Sequence, residues 1–419
     1  MLGLPRRAVL AGSSAMLATA ASPFGTANAQ QPRPRYDLLI KGGEVIDPSQ
    51  ALRGRRDVAI HNALIAAVES DIPREAAAQA INADGKLVCP GLVDLHAHVF
   101  PEVSSIGLPA DELVPFTATT TCVSPGDAGA NTFSMFRHAV LARAHTRLLG
   151  FVHISAIGLA GFPVGEMLNI DYALVDACAR TVAENREVAL GVKVRMSADI
   201  VGNNGLEPLR RAIQAAEAAG PWARVMCHIG NAPGSIGDLL DLLRPGDILT
   251  HVYSGAGNNT VQNGRVVPQA LEAKRRGVIM DVGHGGGSFD YTVYEAARDQ
   301  GLTPDTISSD IHAVSGNTPG MPFLPWVMSK FLNDGYTLEQ VIEMATVKPA
   351  QIINRVDKLG TLQPGAPADV SILELVSEPV EFVDTRDNHR RGDRWLKPVQ
   401  TVRAGVPFGR PFPSPFAWP

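Results

Sequence analysis

The chain has 419 residues, of which 45% are hydrophobic, and its 40 glycines and 31 prolines indicate a globular protein with many turns. This length allows one large domain and one small domain with a sizeable core. The formal net charge of -5 and the lack of a long basic run argue against nucleic acid or an anionic membrane as the main partner. We therefore expect a small-molecule substrate, and homo-oligomer formation is left open.

The first thirty residues differ in composition from the rest of the chain. Arg6 and Arg7 precede a largely apolar run of small residues, and Ala27-Asn-Ala29 has the small-x-small form of a cleavage site. This pattern predicts a twin-arginine-type signal peptide over residues 1–29. The run is short for a membrane span, and an uncleaved amphipathic anchor is the alternative. The mature protein would be periplasmic or secreted from a bacterium, without a stable membrane anchor.

Short alternating runs separated by Gly and Asn turns occur at both ends of the mature chain. They cover residues 36–68 and return at 368–375 and 399–406. Such runs predict strands joined in hairpins. We expect residues 36–90 and 358–419 to pair into one small β-sandwich domain.

Between these flanks, strand-like and helix-like stretches alternate, which is typical of βα units. Helical spacing of apolar residues is clear at 207–219 and 338–346. Eight apolar runs are strand candidates: 87–98, 116–123, 148–157, 189–195, 224–229, 248–252, 278–282 and 306–310. They predict an α/β fold, a (β/α)8 TIM barrel over residues 91–357. An open doubly wound sheet is the alternative, although no Gly-x-Gly-x-x-Gly motif follows an early strand.

Four cysteines are present in a chain that we expect to be exported. None has the close spacing of a paired motif, and three lie in apolar strand-like runs. We predict that they are small core residues without disulfides: Cys89, Cys122, Cys178 and Cys227.

Polar residues at the ends of the predicted strands form a chemically selective set. In a barrel, such side chains project into the mouth at the carboxyl ends of the strands. A single histidine there is more often an ordinary core or surface residue, but five strands ending in ligand-type residues are hard to obtain by chance. They form a ligand set for two divalent metals: His96, His98, Lys193, His228, His251 and Asp310. Imidazole nitrogens and carboxylate-type oxygens predict zinc as the metal. Manganese, cobalt, nickel and iron remain alternatives.

Lys193 places an amine inside the apolar strand Gly191-Val-Lys-Val-Arg195. Burial lowers the pKa of a lysine and favours the neutral amine. A neutral amine can take up CO₂ to form a carbamate, an N6-carboxylysine, which has the charge of a carboxylate and can bridge two metals. A salt bridge to a loop acid is the alternative.

These residues, in this order, resemble the amidohydrolase superfamily of metal-dependent hydrolases. Pro90-Gly-Leu-Val-Asp94 and the run Leu359-Gly-Thr-Leu-Gln-Pro-Gly to Val370 resemble its joints between barrel and β domain. Further motifs resemble the dihydroorotase-like amidohydrolase/deacetylase branch: Ser124-Pro-Gly-Asp-Ala-Gly, Gly191-Val-Lys-Val-Arg-Met-Ser, Met226-Cys-His-Ile-Gly-Asn and Asp281-Val-Gly-His-Gly.

The resemblance implies a role for each ligand. His96 and His98 would bind the more buried metal, His228 and His251 the other, and carboxylated Lys193 would bridge them. Asp310 would bind metal and shuttle a proton. This chain departs from true dihydroorotases at one position. Those enzymes resemble one another in having an arginine two residues past the second histidine, and this chain has Phe100 there.

The mechanism that we expect uses a hydroxide bridging two cations about 3.5–4 Å apart, which is nucleophilic at neutral pH. Asp310 would accept its proton and deliver it to the leaving group, with a helix N-cap as the alternative role. Arg195, on the same face as Lys193, could pair with a substrate carboxylate or with a loop acid. His284 and Tyr253 are candidates to hold the carbonyl oxygen, with turn residues as the alternative. Asp127, Asn131 and His312 are weaker candidates.

Three functions are compatible with these residues. The first is removal of an acyl group, such as acetyl, from an amide or ester of a small carboxylate-bearing molecule. The second is opening of a cyclic amide or lactone, as in dihydroorotases and hydantoinases. The third is a non-catalytic binding module of the same fold. Such proteins usually lack some of the metal-ligating residues, whereas this chain has the complete set.

Overall fold

The computed structural model describes residues 34–101, 103–161, 164–320 and 322–408. The predicted signal peptide, residues 1–29, and the last residues of the predicted β domain, 409–419, lie outside these ranges. Within the described ranges, no helix has both the length and the apolar character needed to cross a bilayer.

Strands dominate both ends of the described chain, and strands alternate with helices between them. The strands are β1 Tyr36–Asp47, β2 Leu52–His61, β3 Leu64–Glu69, β4 Ala77–Asn82, β5 Leu87–Pro90, β6 Leu92–Asp94, β7 Thr119–Ser124, β8 Arg147–His153, β9 Ala189–Met196, β10 Arg224–Ile229, β11 Ile248–Thr250, β12 Val261–Gln262, β13 Arg265–Val266, β14 Ile279–Asp281, β15 Val370–Val383, β16 His389–Arg403 and β17 Val406–Pro407. The helices are α1 Ala110–Thr117, α2 Phe133–Met135, α3 Val175–Glu184, α4 Ala198–Val201, α5 Glu207–Ala219, α6 Ile236–Leu242, α7 Pro268–Arg276, α8 Tyr291–Asp299, α9 Leu324–Leu332, α10 Leu338–Ala345 and α11 Val347–Ile353.

One sheet joins the two ends of the chain. Its order is β17-β16-β15-β5-β1-β2-β3, and β4 also pairs with β1. The two ends meet where β5 pairs antiparallel with β15, with Cys89 opposite Ser371. Alternating side chains bury apolar residues on both faces of this sheet, in one cluster around Val45 and Val88 and another around Leu39 and Ala59.

A second sheet contains seven parallel strands in the order β14-β11-β10-β9-β8-β7-β6. The segment 306–311 closes it: Thr306 bridges to Asp281 of β14, and Ile311 bridges to Ala97, just past β6. The buried carboxylate of Asp94 strengthens this closure because it accepts hydrogen bonds from the backbone N–H and the hydroxyl of Ser309. A closed ring excludes the open doubly wound alternative.

The predicted strand 116–123 begins within α1, the strand 148–157 ends at His153, and two further predicted strands differ in kind from the structure. The predicted strand 87–98 is two strands, because the chain leaves the first sheet at Gly91 and enters the second. A Cβ at Gly91 would lie 2.2 Å from Thr120 Oγ1, so the crossing needs glycine. The predicted strand 306–310 forms bridges but no regular ladder. The histidine pair therefore lies beyond the end of β6 and not within a strand.

Several local predictions are confirmed. The helix predicted at 207–219 matches α5, and the one at 338–346 matches α10 to within a residue. All four cysteines are buried and unpaired. Local periodicity was sufficient for these elements because their apolar faces pack directly on the sheets.

Candidate metal centre and active site

Six predicted ligand positions converge at the carboxyl end of the parallel sheet. They come from the segment after β6, from β9, from β10, from the residue after β11 and from the closing segment: His96, His98, Lys193, His228, His251 and Asp310. The ring centroids of His96 and His98 are 5.6 Å apart, and His251 lies 4.9 Å from His96 and 4.4 Å from His228. Side chains separated by more than two hundred positions in the chain thus form one cluster.

The Asp310 carboxylate lies at the centre of this cluster. Its Oδ1 is 3.1 Å from Nε2 of His96 and 3.0 Å from Nε2 of His98. Its Oδ2 is 4.0 Å from Nε2 of His251. Burial alone raises the pKa of this carboxyl, but His96 and His98 hold it well below its usual range. Asp310 is therefore an anion.

The hydrogen bonds of His96 fix which ring nitrogen carries its proton. The Thr250 hydroxyl donates its single proton to Asp281 Oδ2 at 2.8 Å. It must therefore accept from His96 Nδ1, which is 2.8 Å away. Burial also lowers the pKa of His96 well below its ordinary value. The neutral ring thus presents the lone pair of Nε2 to the cluster.

His98 and His251 are oriented in the same way. Nδ1 of His98 is 2.5 Å from Asp127 Oδ1, and Nδ1 of His251 is 2.6 Å from the Gly283 carbonyl oxygen. Both oxygens are acceptors, so both Nδ1 atoms donate and both Nε2 atoms face the cluster. Asp127, together with Asp310, raises the pKa of His98 to about 9 against the opposing effect of burial. A proton must leave His98 when a cation binds there.

These tautomers test whether a metal fits. Once His98 has lost its Nε2 proton, three Nε2 atoms and a carboxylate oxygen would direct electron pairs into one volume, which is unfavourable unless positive charge lies between them. His96, His98 and Asp310 have the proximity of a metal-ligand group, with ligand atoms within 4.8 Å of one another. His251 Nε2 is buried with no hydrogen-bond partner. Imidazole nitrogen with carboxylate oxygen suits a divalent transition metal.

The Lys193 amine is the other buried group without a hydrogen-bond partner in this cluster. Burial lowers its pKa to about 8, against the attraction of Asp310. Gly126 makes room for its stem, since a Cβ there would lie 2.5 Å from Lys193 Cβ. An unpartnered buried amine costs free energy, so its retention at the cluster indicates a partner that the chain itself does not supply.

Two of these residues have left-handed backbone conformations. The φ angles are +66° at His251 and +50° at Asp310. Non-glycine residues adopt such angles uncommonly, and they cluster at functional sites where the surrounding structure enforces them. At Asp310 the enforcement includes a 2.7 Å hydrogen bond from its N–H to the His96 carbonyl oxygen.

A pocket opens onto the cluster and has about 410 Å³ of empty space, counted out to its mouth. Its wall includes Arg195, His153 and His312 besides the ligand-type residues. Nη1 of Arg195 lies 3.1 Å from both carboxylate oxygens of the buried Glu166. Glu166 is therefore the loop acid that the sequence analysis gave as the alternative partner of Arg195. The Arg195 side chain also lines the pocket.

The structure contradicts the predicted substrate contacts of Tyr253 and His284. The hydroxyl of Tyr253 donates to the Leu302 carbonyl oxygen at 3.0 Å, and neither residue lines the pocket. Nδ1 of His284 is 2.8 Å from the Gly285 carbonyl oxygen, and its Nε2 is 2.7 Å from Lys330 Nζ. Both side chains are buried and hydrogen-bonded to groups inside the protein.

Sequence reasoning missed the groups that orient the ligands. Thr250 and Asp281 fix His96, and Asp127, a weak candidate for substrate contact, instead fixes His98. Glu166 lies in a loop whose sequence carries no periodic or motif signal. Asp281 is the last residue of the apolar strand β14 and begins the motif Asp281-Val-Gly-His-Gly. A polar residue at this position is the sequence feature that could have indicated its role.

Comparison with known proteins identifies the family. The profile of the amidohydrolase family matches residues 282–408. Over 340 residues the chain is 33% identical to a deacetylase of Agrobacterium fabrum, an alignment that covers 81% of this chain and 83% of that protein. The chain belongs to the amidohydrolase family.

Solved structures agree with the fold of this amidohydrolase. A crystal structure described as an adenine deaminase has a TM-score of 0.81 and 29% identity, covering 89% of this chain and 99% of that one. One described as a dihydroorotase has a TM-score of 0.81 and 30% identity, covering 89% and 97%. The predicted TIM-barrel class, the superfamily and the hydrolytic nature of the enzyme are confirmed.

The contact between Asp127 and His98 generates a prediction for the amidohydrolase. Asp127→Asn should weaken metal binding about 10- to 100-fold, because the amide no longer holds the Nδ1 proton as firmly. Titration with a competing chelator measures this affinity. Asp171→Asn, an exposed change on the loop before α3, is the matched control. Unchanged affinity in Asp127→Asn would show that His98 is not a ligand.

Proposed function

We propose that this amidohydrolase is a metal-dependent deacylase, of the deacetylase type, that cleaves an amide or ester of a small carboxylate-bearing molecule. The observation that carries this proposal is the convergence of three histidine Nε2 atoms, the Asp310 carboxylate and an unpartnered lysine at the floor of one pocket. The deacetylase of Agrobacterium fabrum, at 33% identity, supports the choice of reaction.

The residues present would hold two divalent cations, of which zinc suits the donors best. His96 and His98 would hold one cation, His228 and His251 the other, with Asp310 and carboxylated Lys193 completing the set. When bound, such cations lower the pKa of water and polarise a carbonyl oxygen.

Carboxylation of Lys193 follows from its surroundings. The neutral amine adds to the carbon of CO₂, forming an N–C bond and releasing one proton, and the product is an anionic carbamate. Burial, which lowers the pKa of Lys193 to about 8, keeps an appreciable share of the amine neutral near neutral pH. The resulting charge offsets part of the positive charge that two cations would bring.

Asp310 is placed to move the proton. Its Oδ2 is the oxygen not shared between His96 and His98, and it lies toward His251. We assign Oδ2 to accept a proton from the attacking water and to return it to the leaving nitrogen or oxygen. The low pKa of Asp310 keeps the carboxylate unprotonated before the first transfer and makes its protonated form a strong acid for the second.

The pocket wall has donors for the substrate. Arg195, fixed by Glu166, would pair with the substrate carboxylate. Nδ1 of His312 accepts the backbone N–H of Ser315 at 3.2 Å, so its Nε2 proton is available to an acceptor. Burial lowers the pKa of His312 to about 4 and keeps the ring neutral.

Arg6-Arg7 and the apolar run after them support a periplasmic location for the enzyme, as part of this proposal. The test is a fractionation of cells that express the full chain. Replacement of both arginines with lysine should retain the enzyme in the cytoplasm.

The second candidate function is opening of a cyclic amide, which the dihydroorotase structure of 30% identity favours. A substrate panel on metal-loaded enzyme separates the two. We expect turnover of N-acetyl or O-acetyl acids and slower or no turnover of hydantoins, dihydroorotate and lactones. Turnover of cyclic compounds alone would make ring opening the better-supported function. Substoichiometric metal together with no turnover of any substrate would favour a non-catalytic binding module.

The role of Lys193 can be tested by removal and chemical rescue. Lys193→Ala should lose one of the two bound metals and nearly all activity, because no other described side chain can supply the negative charge of the Lys193 carbamate at that place. Acetate or propionate should restore part of both, since a free carboxylate can replace the carbamate. Metal analysis and initial rates measure the result. Full activity of Lys193→Ala without added acid would refute the bridging role.

The role of Arg195 can be separated from its contact with Glu166. Arg195→Gln should lower kcat/KM about 10- to 100-fold for a carboxylate-bearing substrate, the loss expected for a hydrogen bond to a charged group. The methyl ester of the same substrate should be affected far less. Arg210→Gln, an exposed change on α5, is the control. An equal loss for both substrates would leave Arg195 only a structural role.

A further inference from the structure

A second concave site lies at the opposite end of the barrel. It is formed around Leu190, Trp222, Arg224, Arg244 and Arg355, and we call it the basal cleft. It has about 760 Å³ of empty space, counted out to its mouth. Arg224 is the first residue of β10, four positions before His228, which corresponds to about 13 Å along the strand.

Arg355 is held rigidly on one wall of the basal cleft. Its Nε donates to the Arg186 carbonyl oxygen and its Nη1 to the Asn354 carbonyl oxygen, each at 3.0 Å. Its guanidinium carbon lies 4.6 Å from the ring centroid of Trp222, and that of Arg186 lies 5.3 Å from the same ring. These contacts fix the group through Nε and Nη1, and no described residue bonds its Nη2.

Arg224, which also lines the cleft, is held in the same manner. Its Nε donates to the Ile352 carbonyl oxygen at 3.2 Å and its Nη1 to the Gly246 carbonyl oxygen at 2.7 Å. Its Nη2 also has no described partner. The third arginine of the cleft, Arg244, differs because it forms an ion pair with Asp247 at 2.9 Å.

The cleft therefore carries positive charge that is only partly compensated, since Asp247 pairs with Arg244 and also attracts Arg224. Neutral carbonyl groups anchor Arg224 and Arg355, and neither forms an ion pair with a described carboxylate. Burial lowers the pKa of both guanidiniums, and Arg186 and Arg224 lower that of Arg355 further by repulsion. Two fixed, partly desolvated cations that repel one another form an arrangement that an anion stabilises.

We propose that the basal cleft binds a small oxyanion of the phosphate type between Arg224 and Arg355. The two unused Nη2 groups would donate to different oxygens of one tetrahedral anion, since guanidinium groups match oxyanion geometry. Trp222 and Leu190 would line the apolar part of the cleft beside it. This site is independent of the proposed deacylase activity.

Isothermal titration of inorganic phosphate into the full chain tests the proposal. Ionic strength is held constant with chloride because screening affects exposed charges. We expect one phosphate per chain, about 10- to 100-fold weaker binding in Arg355→Gln, and unchanged binding in Arg391→Gln, an exposed arginine on β16 with the same change of charge. Arg355→Lys, which keeps the charge without the fork, should be intermediate.

Asp310→Asn locates the bound phosphate because it alters only the cluster at the other end of the barrel. Binding retained in Asp310→Asn and lost in Arg355→Gln supports the basal cleft. Binding lost in Asp310→Asn and retained in Arg355→Gln would place phosphate at the metal ligands and overturn the proposal, as would the absence of binding to the unmodified chain. Circular dichroism verifies that each variant is folded, and unchanged metal content provides a second check for the arginine variants.

Discussion

The convergence of imidazole lone pairs on one aspartate is the interaction on which the rest of this structure depends. Three of the four histidines face it through Nε2 because the Nδ1 atom on the far side donates to a chain oxygen: Thr250 for His96, Asp127 for His98 and Gly283 for His251. These nitrogens lie around a buried carboxylate, so positive charge is favourable in that volume, either as the proton of His98 or as a cation that replaces it. The barrel core supplies rigid supports, and the cluster makes the fold specific for a cation.

Closure of the barrel is inseparable from this cluster. The closing segment 306–311 forms isolated bridges and no regular ladder, yet it carries Asp310. Ser309 is anchored by the buried Asp94, and the Asp310 N–H donates to the His96 carbonyl oxygen. The closing segment, which joins β14 to the chain just past β6, thus also sets the distances between Asp310 and the histidines. A loss of closure and a loss of the metal centre would be the same structural event.

The two ends of the barrel use buried charge in different ways. At the mouth, Arg195 is balanced by Glu166 and Asp310 lies among histidines, so each charge has a defined counterpart. At the base, neutral carbonyl groups hold Arg224 and Arg355, and neither forms an ion pair with a described carboxylate, although Asp247 attracts Arg224. Burial of unbalanced charge is costly. The structure tolerates it at the base only because the cleft is open to water and to dissolved anions.

The sequence by itself determined the alternation of strands and helices, the extent of α5, and the ligand residues at the strand ends, because each of these is recorded in local spacing and residue type. Only the tertiary structure decided that Gly91 divides the first strand between two sheets, that Tyr253 and His284 are occupied inside the protein, and that Glu166 and Asp281 support the site. Those facts depend on contacts between residues far apart in the chain. Local periodicity carries no information on such contacts, since they form only when the barrel closes.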